Sequence, residues 1–168
     1  MPLNDTLARV EADLAAGRVP VARQRLRGLV SSYPHDPAPR RRLAEVYRLY
    51  GDPAEAGRWM YLEEDRDAAE TAAFEARYRT TGQRMRALAW RGPESLARTP
   101  FAREHLAAVR TACSEAMGRP VDWDTVPSAR EEEDRRSPFV NCLAGGGCLL
   151  AVLAFLSIWV NGLIALFD

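Results

Sequence analysis

Apolar residues recur along the first 118 positions at the three-and-four spacing that places them on one face of a helix, and the breaks between these stretches are regular. Leu3, Leu7, Val10 and Leu14 form the first stripe, which predicts a helix from about Asn4, read as its cap, to Ala16, with Gly17 as the stop. Pro20 suits the first turn of a second helix, Val21 to about Ser32, whose members Ala22, Leu26, Leu29 and Val30 keep helical spacing until Tyr33-Pro34 breaks it. Asp36-Pro37 opens a third helix carrying Leu43, Ala44, Val46, Tyr47 and Tyr50, stopped by Gly51. Asp52-Pro53-Ala54-Glu55 reads as an aspartate version of the capping box and opens a fourth, with Ala56, Trp59, Met60 and Leu62. Farther on, Thr99-Pro100 begins a long helix with Phe101, Leu106, Val109, Ala112 and Met117, ended by Gly118 and Pro120.

The end of the chain follows another pattern. From Ser137 to Phe167 no side chain is charged, and the stretch Leu143 to Phe167 is apolar over a greater length than a buried helix needs. A hydrocarbon core about 30 Å thick takes roughly 20 such residues in a helix. The expectation is a helical domain over 1–119, a polar acidic linker over 120–138 and a transmembrane anchor over 139–168, its helix covering about 143–167. The linker is read from lost periodicity, from Pro127 and Ser128, and from the acidic run Glu131 to Asp134. Arg130, Arg135 and Arg136 precede the apolar run and no basic residue follows it, so the positive-inside rule puts the helical domain on the cytoplasmic face of the cell membrane, single-pass. Met1 to Asp5 lack the basic and apolar regions of a secretory signal.

The helical punctuation repeats. Gly17 and Gly51, Ala22 and Ala56, and Leu26 and Met60 are each 34 residues apart. Leu43, Ala44, Tyr47, Gly51 and Ala56 together resemble the tetratricopeptide repeat. In the preceding unit Gly17, Ala22 and Pro34 fit the same frame, while Arg9 and Asp13 stand where Leu and Tyr are expected. A degenerate third unit is suggested by Phe74, Tyr78, Gly82 and Ala87, with Glu75 in the small-residue place. The resemblance implies an all-α fold of antiparallel helix pairs, two clear and one degenerate, with residues 83–118 capping a stack whose apolar faces are buried only by neighbours. The chain as a whole also resembles an uncharacterised family of repeat-like proteins of high-GC Gram-positive bacteria. That likeness runs from Leu7-Ala8-Arg9-Val10-Glu11 through Arg42-Leu43-Ala44-Glu45-Val46-Tyr47 to Gly57-Arg58-Trp59-Met60-Tyr61-Leu62-Glu63.

Composition refines the picture without naming a reaction. The net charge is zero, with 23 basic residues, every one an arginine, against 23 acidic residues. The signs alternate in blocks: residues 1–42 hold 8 arginines and 4 carboxylates, 43–75 hold 3 and 9, 76–119 hold 9 and 3. Cys113, Cys142 and Cys148 have neither the spacing nor the histidine company of a zinc site, and Cys113 is expected to pack as a small apolar residue. His35, in a turn, and His105, on a helix, are expected at the surface. No nucleophile elbow, phosphate loop, HExxH or nucleotide fingerprint is present, and Gly145-Gly146-Gly147 lacks the lysine of a phosphate loop. The expectation is therefore a binding protein rather than an enzyme, with no cofactor and no metal.

Three sets of residues are candidates for binding. On a tetratricopeptide-like groove Asn4, Glu11, Arg41, Glu45, Arg48 and Arg79 occupy the concave positions, and Arg41 and Arg48, seven apart, share a face from which their guanidinium groups can grip carboxylates of a peptide partner. In the anchor, Gly147, Ala151, Ala154 and Asn161 form a small-residue face suited to packing against a second copy of the same helix. The basic segment 77–91, with Arg77, Arg79, Arg84, Arg86 and Arg91 interleaved with Tyr78 and Trp90, carries the alternative of a membrane-associated regulator that contacts nucleic acid or a transcription factor. Zero net charge argues against nucleic acid as the main partner.

Overall fold

The computed structural model describes residues 2–136, and every regular element among them is helical. Seven α-helices and one short 3-10 turn make a compact unit ending at Pro127. They are α1 (Leu3–Ala15), α2 (Val19–Ser32), α3 (Pro37–Leu49), α4 (Pro53–Met60), α5 (Ala68–Arg77), α6 (Thr81–Leu88) and α7 (Pro100–Met117), with the 3-10 turn at Glu94–Leu96. The expected anchor, and with it Gly147, Ala151, Ala154 and Asn161, lies outside the described residues. No described helix is long and apolar enough to cross a membrane.

Local chemistry explains the boundaries. Asp36, Asp52, Asp67, Thr80 and Thr99 each accept a backbone N–H in the first turn of α3, α4, α5, α6 and α7, satisfying donors that a helix start leaves orphaned. Thr80 and Gln83 complete a reciprocal capping box. Asn4, expected to cap α1, lies inside it, because the chain is already helical from Leu3 and Pro2 precedes it without a side-chain cap. Gly82 likewise sits in the first turn of α6 rather than at a turn between helices, so the third unit does not share the punctuation of the first two.

Those first two units close alike. Gly17 and Gly51 both take positive φ, 72° and 66°. The amide after each glycine reaches back five residues, Arg18 N to Asp13 O (2.8 Å) and Asp52 N to Tyr47 O (3.0 Å). This six-residue closure satisfies the last carbonyls of α1 and α3 and turns α2 and α4 back along them.

The core falls into two clusters. Val10, Ala22, Leu26, Leu43, Ala44, Val46 and Met60 belong to the cluster built by α1 to α4. The second gathers Phe74, Met85, Leu88, Leu106, Cys113 and Met117 from α5 to α7, so Cys113 is buried as expected. Between the clusters α4 and α5 meet at Gly57, where a Cβ would lie 2.0 Å from the carbonyl oxygen of Glu70. A glycine inside a helix costs about 1 kcal/mol against alanine, and here it buys the backbone approach that joins the two halves.

Residues 120–127, expected to begin a polar tether, pack on the domain instead. Val121, Trp123 and Pro127 are buried. Val121 N donates to Ser114 Oγ (3.1 Å), Gly92 N donates to Asp124 Oδ1 (3.2 Å), Trp123 Nε1 donates to Glu94 Oε1 (3.1 Å), and Arg86 donates to Pro127 O. The apolar residues within this acidic stretch fasten it across the ends of α6 and α7. A separate unit begins at Ser128, and in it α8 (Ala129–Arg136) starts at a Ser128–Glu131 capping box.

Candidate functional site: an arginine and tryptophan cleft

The carboxyl end of α6 gathers side chains from distant parts of the chain. Ala89, which follows α6, is left-handed at φ 49°, an unfavourable conformation for a residue with a Cβ. Arg58 of α4 donates through Nε to Ala87 O, and Arg40 of α3 donates through Nη1 to Leu88 O (2.9 Å). Two guanidinium groups thus satisfy the last carbonyls of α6 and oppose the negative end of its dipole. Arg40 also donates to Pro34 O through Nε (3.2 Å) and Nη2 (3.1 Å) and is only 3% exposed. Burial, with Arg58 nearby, pulls its pKa down to about 10, while Glu63 acts in the opposite sense.

Both cations lie against Trp59, Arg58 at 4.4 Å and Arg40 at 5.7 Å from the ring centroid, and Arg40 is 5.9 Å from that of Trp90. His35, expected at the surface, is half-buried with its ring 4.8 Å from Trp90, and its Nε2 donates to Arg91 O (2.7 Å). His105 is half-buried too, stacked 4.0 Å from Phe101.

Beside this assembly opens a cleft of about 550 Å³. Its apolar lining includes Val30, Pro34, Trp59, Trp90 and Trp123, so three of the chain's four tryptophans meet there. Its charged lining is Arg27, Arg58, Arg91 and Asp124. Arg58 is held by Glu55 (3.0 Å) and Ala87 O, and Asp124 accepts from Gly92 N. The guanidinium groups of Arg27 and Arg91 have no ion-pair or hydrogen-bond partner among the described residues. Trp59 Nε1 is the buried side-chain donor left without an acceptor there. Its ring is 4% exposed.

The groove residues inferred from sequence are differently placed. Arg41 pairs with Glu63 and with both oxygens of Asp65, and Arg48 pairs bidentately with Glu70 (2.6 and 2.7 Å). These bonds raise both arginines' pKa values, with Asp65 the largest cause for Arg41 and Glu70 for Arg48. Each guanidinium ties α3 to the chain that follows α4. Glu45 is exposed and bridged to Arg42, which also pairs with Glu11. Arg79 is exposed and apart from that network. In the basic segment Arg77 pairs with Asp52, Arg84 donates to Tyr78 O (2.9 Å), Arg86 donates to Pro127 O, and Trp90 is buried. Most of its cations are thus engaged within the domain.

The cleft escaped sequence reasoning because its residues come from α2, α4, the turn after α6 and the 120–127 strap, with no fixed spacing. The available signal was chemical: Val121, Trp123 and Val126 are apolar residues that a solvated tether has no use for. Among the described residues no group of three or more His, Cys, Asp or Glu is placed to hold a metal ion.

Residues 1–168 match the family described as "Family of unknown function (DUF6584)". The chain belongs to this DUF6584 family. No curated protein and no solved structure matches it. For this DUF6584 member the cleft is where unpaired donors and apolar surface coincide among the described residues.

Proposed function

We propose that this protein is a membrane-tethered interaction module: a tetratricopeptide-like helical domain that holds a partner peptide at the cytoplasmic face of the membrane and acts by binding rather than by catalysis. The reading is carried by one observation, the cleft in which the guanidinium groups of Arg27 and Arg91, with no ion-pair or hydrogen-bond partner among the described residues, line the same opening as apolar and indole surface. Elsewhere in the domain most arginines are matched to internal acceptors, as the pairs of Arg41, Arg48, Arg77, Arg98 and Arg110 illustrate. The equal closures of α1–α2 and α3–α4, spaced by 34 residues, support the repeat-like reading. The uncharged run to Phe167 supports the tether.

With Arg41 and Arg48 paired internally, the proposed partner site is the cleft rather than the sequence-derived groove. The test is affinity capture from detergent-solubilised membranes after crosslinking in living cells, comparing wild type with an Arg27→Glu, Arg91→Glu double variant. The expected result is a stoichiometric partner present with wild type and lost with the variant. Recovery of the protein alone in both samples would replace this reading with self-association through Gly147, Ala151, Ala154 and Asn161.

A further inference from the structure

We infer that the cleft recognises a carboxylate carried beside an apolar side chain on the partner peptide; the inference rests on the reading of the domain as an interaction module and supplies its ligand chemistry. Three features lead to it. Arg27 of α2 and Arg91, in the turn after α6, bring two planar donor forks to one opening, and a fork of this kind meets a carboxylate with two parallel hydrogen bonds. The charges lining the cleft favour a single negative charge: Arg58 is already held by Glu55, and Asp124 offsets one of the two remaining cations. A dianionic phosphate would exceed that balance.

The third feature is the surface beneath. Val30, Pro34 and the indoles of Trp59, Trp90 and Trp123 provide apolar area next to the guanidinium groups. A cleft of about 550 Å³ lies within the usual size range of ligand sites, about 300–1,000 Å³, and admits one or two side chains rather than a whole helix. The tryptophans do not offer free faces to a stacked nucleobase: Trp59 is covered by Arg58, Trp90 by His35, and all three are at most 5% exposed. Their edges suit an acyclic group set against them.

The carboxylate has two possible origins, an acidic side chain or a chain end, and one titration separates them. The full chain, labelled with nitrogen-15 and kept in dodecyl maltoside, is titrated with acetyl-Gly-Leu-Phe-Glu-Leu-Gly-amide, with its Gln counterpart, with acetyl-Gly-Gln-Leu-Phe bearing a free carboxyl end, and with inorganic phosphate. Indole N–H signals are followed by heteronuclear NMR and assigned by single Trp→Phe variants. The expected result is saturable movement of the Trp59, Trp90 and Trp123 signals, with Trp159 as the internal reference, for the Glu peptide or the free-carboxyl peptide. The peptide that binds names the origin. Arg27→Gln, Arg91→Gln and the double variant are measured alongside, with unchanged helical circular dichroism as the folding control. Loss of one charge-assisted pair weakens binding by about tenfold.

Equal binding of the Gln peptide, undiminished binding by the arginine variants, or tighter binding of inorganic phosphate would each overturn the inference. So would movement of the Trp159 signal alone. A partner captured in cells through Arg27 and Arg91, together with a titration in which no carboxylate peptide binds, would remove this inference and leave the interaction module standing. Failure of the capture would remove the module itself.

Discussion

In the hairpin α1–α2 the residue five before the turn amide is Asp13, and the residue facing it from α2 is Arg25. Thirty-four positions later, in α3–α4, the same places hold Tyr47 and Trp59. The backbone closes both turns alike, yet one interior is ionic and the other aromatic. Asp13 is 5% exposed and takes Arg18 at 2.8 Å and Arg25 at 2.7 Å, both partly solvated. Tyr47 and Trp59 are 8% and 4% exposed and belong to the core. The difference follows position in the stack. Among the described residues the main helix neighbour of α1–α2 is α3, on one side, so a carboxylate can keep its cations at the water's edge, whereas α3–α4 lies between α2 and α5 and must fill its interior with apolar surface. A third pair of equivalent positions differs too: Arg23 of α2 lies 5.2 Å over the Tyr50 ring, while Gly57 of α4 has the backbone of α5 against it.

The largest expected effect is at Gly57. Gly57→Ala drives a methyl group into the Glu70 carbonyl, and an expected loss of about 3 kcal/mol or more would appear in denaturant unfolding of the full chain in neutral detergent. Next comes Trp59→Ala, which removes a buried indole and the surface beneath Arg58, with an expected cost of about 3–5 kcal/mol if the cavity does not collapse. The equivalent change in the first hairpin, Arg25→Ala, should cost clearly less, since Arg18 still holds Asp13. Equal losses at the two positions would contradict the account of a one-sided and a two-sided hairpin.

Protonation acts on the two hairpins at opposite ends of the pH range. The Arg18 hydrogen bond, with that of Arg25, holds the Asp13 carboxyl below its usual 3.8 against the opposing effect of burial. Its folded pKa is lowered, so its contribution is present above the unfolded value and is lost as pH falls through the folded one. Wild type and Asp13→Asn should therefore differ most at neutral pH and converge below about 3.9. In the second hairpin the alkaline side responds. Tyr78 donates to Glu55 Oε1 at 2.6 Å, and burial, followed by that bond, raises its pKa above 10.0. That contribution is intact below about 10 and is lost as pH rises through the raised value, so Tyr78→Phe should flatten the alkaline decline in stability. The smallest expected effect is a gain: Gly28 lies in α2 with no atom within 4 Å of a Cβ, and Gly28→Ala should stabilise by about 0.5–1 kcal/mol.

Much of the fold was legible in the sequence because its signals are local. Asp36, Asp52 and Thr99 cap the helices they were expected to open, and Gly17, Gly51 and Gly118 close theirs with positive φ. What failed to read out depended on distant partners. Asp13 looked like a departure from a repeat pattern until Arg18 and Arg25 closed around it. Arg41 and Arg48 do share a face, but spacing alone cannot show that Glu63, Asp65 and Glu70 return to meet them. Gly57 has no local reason to be a glycine. The strap from Val121 to Pro127 was disguised by its acidic neighbours, and the cleft needed that strap to exist. Arg27, Trp59, Trp90 and Trp123 converge through tertiary packing, which periodicity does not encode.

On the proposed reading, partners enter at the cleft and not at the ion-paired face of α3. Photo-crosslinking in living cells tests it directly, with a crosslinking amino acid placed at Arg27 in one strain and at Arg41 in another. The expected result is a discrete adduct with a second protein from position 27 and none of comparable yield from position 41. An adduct that forms from position 41 alone, or adducts only between copies of this chain, would contradict it.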